Sequence, residues 1–243
     1  MSKDRKQQVP KVGKSGYKPQ SNSSTMTYIL FGVAIVVIAA VVIGGIVWSN
    51  NDGGEQVDES QLTNTALAIG EESAPVTIDV FEDFMCPACG QFEASQGQQI
   101  LEAVNNKQLR VRYHMLNFLN RSSASGDYST RAAAAFQCVA DGGEKQDVIE
   151  KFHSTLFQNQ PTEGGSTDHD NKQLAEFAAD AGASSNTQAC ISSGARVKKA
   201  EENADAAQQT LAKATGGQVS TPSVLHDGKL VTLSDTWLTD LLK

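Results

Sequence analysis

The longest apolar run in the chain, Tyr28 to Trp48, spans 21 residues without a charge or a proline. At about 1.5 Å of rise per helical residue, it can cross a hydrocarbon core about 30 Å thick. The segments beyond it are shorter and periodic. Val76 to Phe81 mixes β-branched residues with alternation and predicts a strand that runs almost directly into Cys86. Phe92 to Val104 predicts a helix, and the alternation of Leu109 to Leu116 a second strand. From Asp127 to about Ala214 the chain turns Ala-, Gln- and Glu-rich. Helical periodicity recurs there in Tyr128–Val139, Val148–Phe157, Leu174–Ala181 and Arg196–Ala214, with a loop over Asn159–Asn171. Pro222 to His226, a turn at Asp227-Gly228 and Lys229 to Leu233 form a hairpin signal, and Ser234 or Asp235 can cap a last helix to Leu242. Strand, helix, strand, helical block, hairpin and helix together predict an α/β domain carrying a helical insertion at about 122–215.

Charge changes the picture at the amino-terminal end. Residues 1–27 hold six Lys and Arg and one Asp, a sum of +5; the whole chain is −8, so the remainder carries −13. The tail is polar, cannot bury a core and reads as disordered. An acidic domain excludes nucleic acid as a partner, whereas the basic tail suits anionic lipid. Basic residues precede the apolar run, and Asp52, Glu55, Asp58 and Glu59 follow it. The positive-inside rule then places 1–27 in the cytoplasm, a single-pass anchor at 28–48 with Tyr28 and Trp48 at the lipid interfaces, and everything after Trp48 outside the cell. A cleaved signal peptide is the alternative. The run is long for one, its preceding tail is long, and no Ala-x-Ala-like site follows Trp48. Both readings export the rest of the chain: a polar linker at 49–64 and a folded domain at 65–243.

The candidate chemistry lies in four cysteines, Cys86, Cys89, Cys138 and Cys190. An even count in an oxidising compartment favours disulfides, and four cysteines allow three pairings. Cys86-Pro87-Ala88-Cys89 follows a strand and opens a helix. There the unpaired N–H groups and the helix dipole favour a thiolate at Cys86. Pro87 suits the first helical position, where its missing donor is not needed. Cys89 lies one turn on, where it can resolve a mixed disulfide at Cys86. A zinc site would need a second pair at similar spacing, and no His-x₃₋₅-His is present, so no metal is expected. A purely structural Cys86–Cys89 bridge stays open. Cys138 and Cys190 fall in the helical block as either a staple or a second redox pair. Pro222 opens a strand, where the lost donor is tolerated.

Val80 to Gly90, the helical insertion and Ser220-Thr221-Pro222-Ser223 together resemble the DsbA-like branch of the thioredoxin superfamily, most of all its membrane-anchored forms in monoderm, especially actinobacterial, bacteria. The resemblance covers about 65–243. It implies a thioredoxin-like fold without a cofactor, with Cys86 and Cys89 catalytic and Pro87 and Ala88 completing the motif. It further implies a cis Pro222 beside Cys86, a Thr221 backbone that docks substrate, and a structural Cys138–Cys190 disulfide. The implied activity introduces disulfides into unfolded exported proteins, with a membrane reoxidant of the DsbB or VKOR type as partner. A reductase or isomerase, for example in cytochrome c maturation, and a non-catalytic tethered binding module are the alternatives. Two departures stand out. Ala88 occupies a position where DsbA itself usually has His. Val80 occupies one where many relatives bury a carboxylate, so Glu82 or Asp83 would have to move the proton, unless both are merely solvated charges at a strand end. The thioredoxin-to-DsbA span is about 150 mV, roughly 7 kcal/mol for two electrons. One absent cation, worth about 1–2 kcal/mol by analogy with helix-end charges, softens an oxidant without reversing it.

Overall fold

The computed structural model describes residues 54–64 and 66–243. The tail at 1–27 and the anchor expected at 28–48 lie outside them; among the described residues no helix is long and apolar enough to cross a membrane. The elements are α1 (Glu59–Thr63), β1 (Leu67–Ile69), β2 (Val76–Glu82), α2 (Pro87–Asn105), β3 (Leu109–Met115), α3 (Tyr128–Asp141), α4 (Gln146–Gln158), α5 (Asn171–Ala181), α6 (Ser185–Ser192), α7 (Val197–Ala214), β4 (Ser223–His226), β5 (Lys229–Leu230) and α8 (Trp237–Leu241).

The strands form one mixed sheet in the order β1-β3-β2-β4-β5, with β2 parallel to β3 and antiparallel to β4. Alternation along β2 sends its side chains to opposite faces. Ile78 and Val80 join the larger core with the inner faces of α2, α3 and α4, while Phe81 joins a smaller core with Leu62, Leu116, Leu211 and Leu225. That second core corrects one expectation. Residues 54–64 were expected as a free linker, yet Val57 and Leu62 are buried and Glu59 pairs with Arg112. Arg112 also grips Asp79 at 2.8 and 2.6 Å. The polar letters of 54–64 hid two apolar anchors and a carboxylate whose partner lies 53 residues away.

Three other segments depart from expectation. β1 was not foreseen; three residues are too few to show a period. α6 was not foreseen either, because only Thr187 and Ile191 of its eight residues are buried. Ser184 caps its Thr187 N–H, and the Cys138–Cys190 disulfide ties α6 to α3. The hairpin turns at Asp227 (φ 49°) and Gly228 (φ 72°), which matches the two positive-φ positions of a type I′ turn. Its second strand stops at Leu230, well short of Leu233. Leu230 and Leu233 are both exposed, so no burial extends the ladder.

Candidate active site

β2 ends at Glu82, and a short turn, closed by Cys86 N–H donating to Asp83 O at 2.8 Å, delivers the chain to α2. Cys86 is the N-cap of α2, with Pro87 in the first turn. β4 runs antiparallel to β2 with Ser223 opposite Phe81, so the start of β4 lies at the end of β2 that leads into the motif. This register brings the cis Thr221–Pro222 bond beside Cys86, although 135 residues separate Cys86 from Thr221. The Cys86 thiol donates to Thr221 O at 3.5 Å.

The two cysteines are inequivalent. Cys86 keeps 7% of its surface exposed and Cys89 none. Hydrogen bonding from Cys89 lowers the Cys86 thiol to about 6, with help from the Thr221 hydroxyl and the Cys89 and Ala88 N–H groups, against the opposing effect of burial. Burial drives Cys89 far the other way. Cys86 is therefore the group suited to attack, and Cys89 the group that must exchange a proton to leave or react. Pro87 and Ala88 are exposed. Gln160, from the loop before α5, donates from Nε2 to Phe84 O and Cys86 O, each at 3.0 Å, and so clamps the motif from outside. A Cβ at Gly90 would stand 2.3 Å from Gln160 Oε1, so this glycine makes room for the clamp.

The carboxylates correct the idea of solvated strand-end charges: Glu82 and Asp83 are both fully buried. Asp83 is a brace. Its two oxygens accept from Met85 N–H at 2.9 Å and Leu119 N–H at 3.1 Å, and burial lifts it to about 6. Glu82 faces the same side of β2 as Val80, one pleat nearer the cysteines. Burial raises it well above the usual carboxylate range, and its charge weighs on Cys89. His153 of α4 stands 3.2 Å from Glu82 through Nε2 and 3.7 Å from Glu93 of α2 through Nδ1. Burial, with Glu82 nearby, lifts Glu93 to about 8, while burial lowers His153. These three residues are the grouping of potential metal ligands among the described residues. Their ligand atoms lie within 4.8 Å of one another, and of the two carboxylates only Glu82 is within hydrogen-bond distance of His153. Glu93 and His153 were not singled out from the sequence. The signal was there: each is polar within an apolar helical stripe, Glu93 beside Cys89 and Phe92, His153 beside Phe152 and Leu156. Gln160 sits in an irregular loop and gave no signal.

The family model described as thioredoxin matches residues 62–242. The chain belongs to the thioredoxin family. Within that family it is DsbA-like. The structure of reduced DsbA from Mycobacterium tuberculosis is 30% identical with a TM-score of 0.62, over 74% of this chain and 91% of that one. The MdbA protein from Corynebacterium diphtheriae, a thiol-disulfide oxidoreductase, is 26% identical with a TM-score of 0.65, over 80% and 98%. Of the curated proteins, the serine/threonine-protein kinase PknE of Mycobacterium tuberculosis (strain H37Rv) is 40% identical over 189 residues, which is 76% of this chain. The match spans only 32% of the kinase's length. The mixed sheet and the helical block between β3 and β4 are thus the thioredoxin-like α/β fold with its insertion.

The site makes a prediction about Ala88. Alkylation of reduced Cys86 should rise with pH about a midpoint near 6, not the ordinary 9.0. The lowered pKa stabilises the folded dithiol in full above about 9, and that advantage is lost as pH falls through about 6. Ala88→His adds a donor, and at low pH a cation, near the sulfur. We expect a lower midpoint and a reduction potential higher by about 20–40 mV, on the scale of ~30 mV per 1.4 kcal/mol. Thiolate absorbance and a glutathione-buffered equilibrium measure the two; an unchanged potential means position 88 does not reach the sulfur.

Proposed function

We propose that this chain is an extracytoplasmic thiol–disulfide oxidoreductase that donates its Cys86–Cys89 disulfide to exported, unfolded proteins. The observation that carries the reading is the inequivalence of the pair: a low-pKa Cys86 at a helix N-terminus against the Thr221–Pro222 segment, and a sealed Cys89 behind it. An extended substrate chain docks on the Thr221 backbone, and its thiolate attacks Cys86. The Cys86–Cys89 bond breaks with its electron pair on Cys89, and Glu82 supplies the proton. A second substrate thiolate then displaces Cys86 as the better leaving group. A thiolate-stabilised dithiol makes the disulfide oxidising, which favours donation over reduction. The apolar run at 28–48 supports a single-pass anchor with 1–27 in the cytoplasm and the catalytic domain outside. A membrane reoxidant of the DsbB or VKOR type would return the electrons to quinone. MdbA is named a thiol-disulfide oxidoreductase, in keeping with this chemistry.

The test mixes oxidised protein with a reduced, unfolded secretory protein and counts disulfides in both. Donation predicts that substrate disulfides appear as Cys86–Cys89 is reduced; a potential near that of thioredoxin, with electrons flowing to the substrate, would replace the oxidase by a reductase. Glu82→Gln keeps the shape but cannot carry the proton. It should slow the steps that make or use the Cys89 thiolate by about 10²-fold, the lower end of general acid–base catalysis. Rapid-quench kinetics of mixed-disulfide resolution measures this, and an unchanged rate would assign the proton to another group.

A further inference from the structure

Three buried polar side chains converge from three elements: Glu82 ends β2, Glu93 belongs to α2 and His153 to α4. Glu82 exposes none of its side chain, His153 5% and Glu93 9%. The two carboxyls pair directly with each other, and no donor reaches Oε1 of either one. Ionised carboxylate oxygens only accept, so two of them in contact need a proton or a cation between them. His153 Nε2 stands 3.2 Å from Glu82 Oε2, whereas its Nδ1 is 3.7 Å from Glu93, too far for a hydrogen bond. One ligand atom from each residue lies within 4.8 Å of the other two. A tetrahedral ion with bonds of about 2.1 Å sets its ligands roughly 3.4 Å apart, so small side-chain movements bring the three onto one ion.

The surroundings suit such an ion. A cavity of about 250 Å³ lies beside α2, and Glu93 and His153 line it together with Glu150 and Ser154. It offers a cation a way in and gives water room to complete the coordination. The rings of Phe84, Phe136, Phe157 and Tyr113 pack around His153 with centroids 4.3–5.7 Å away, which fixes the imidazole in place before any ligand arrives. Gly97 leaves space for Glu93, since a Cβ there would lie 2.9 Å from its Oε2.

We propose that Glu82, Glu93 and His153 form a binding site for one zinc-like divalent ion, which ties β2, α2 and α4 together. The ion takes the place of the proton between the two carboxyls. One imidazole with two carboxylates suits zinc better than calcium or magnesium, which favour all-oxygen ligand sets. The spacing of the cysteines excludes a metal only at the cysteines; these ligands are scattered over three elements and follow no spacing rule. The site stands whether or not the chain transfers disulfides.

The test titrates oxidised full-length protein with zinc chloride in a buffer that does not chelate it. Oxidation closes Cys86 and Cys89, Cys138 and Cys190 are already bridged, and residues 1–53 hold no His or Cys, so no thiol competes for the ion. Calorimetry should show one ion bound per chain, and the bound ion should raise the denaturant midpoint, because it favours the folded state alone. Glu93→Gln and His153→Gln should each weaken binding by about 10²-fold or more, since even an outer-shell partner of a metal site is worth 10–100-fold. A control variant with His169→Gln and His226→Gln, which removes the histidines nearer the surface, should bind zinc as the wild type does. X-ray absorption at the zinc edge needs no variant and should show one imidazole with oxygen ligands and no sulfur. Failure of the oxidised wild type to bind zinc overturns the site and leaves a shared proton between the carboxyls. Unchanged affinity in both site variants overturns it too, as does loss of binding in the control variant or a sulfur ligand at the edge.

Discussion

Cys86→Ser should abolish disulfide transfer completely, while Cys89→Ser should capture the substrate. A serine hydroxyl cannot enter a disulfide, so without Cys86 no electron pair moves. Residual transfer should fall to the uncatalysed background. Cys89→Ser keeps the attacking sulfur at the N-cap of α2, with the Ala88 N–H and Thr221 still able to stabilise its thiolate. It loses the only group one turn away that can resolve the adduct, so mixed disulfides with substrates should persist on a non-reducing gel. Full activity in Cys86→Ser, or adducts formed through Cys89 in its place, would exchange the roles given to the two sulfurs. That exchange is hard to reconcile with the burial of Cys89, which raises its thiol far above neutrality.

The second large effect lies in the insertion. Replacing Cys138 and Cys190 together by Ala should destabilise the domain by roughly 4 kcal/mol, about 10³-fold in the unfolding constant, because the unfolded chain regains the freedom of a loop of about 50 residues. The bridge closes a sequence separation of 52 and anchors α6, which buries little else to hold it. Amide exchange in Ser185–Ser192 should therefore accelerate most. Alkylation of Cys86 should be nearly unaffected, since the bridge joins α3 to α6 and touches neither the motif nor β4. Denaturant unfolding with Cys86 and Cys89 blocked measures the loss; a change below about 1 kcal/mol would mean that packing alone holds the insertion.

The residues that chemistry demands at one place were readable where they lie together along the chain. The motif Cys86-Pro87-Ala88-Cys89 is local, and a strand before it and a helix after it have strong periods. The helical stripes of α3, α4, α5 and α7 stand within a few residues of their observed ends, because each buries one face against a large core. The misses share a cause. β1 and α6 are short, α6 has only two buried residues, and the sequence at 54–64 is polar except at Val57 and Leu62. Such segments are held by partners distant in sequence, such as Arg112 for Glu59 and Cys138 for Cys190. A period cannot report a partner.

The fate of the carboxylates divides what sequence could determine from what it could not. By itself the sequence determined that an uncharged apolar run of 21 residues precedes an acidic α/β domain, and that a strand–CxxC–helix unit places a thiol where unpaired N–H groups favour its anion. Those are matters of spacing and local geometry. Only the tertiary structure decided that Glu82 is sealed rather than solvated, that Asp83 is spent bracing a turn, and that Asp79 faces the opposite side against Arg112 and His114. Three acids within five residues thus acquire three different roles. Burial is a property of what packs above a residue, here α4 with its ring cluster on one face of the sheet and α1 with α7 on the other. The protonation state of a carboxyl follows from that covering, which is contributed by residues far away in the chain.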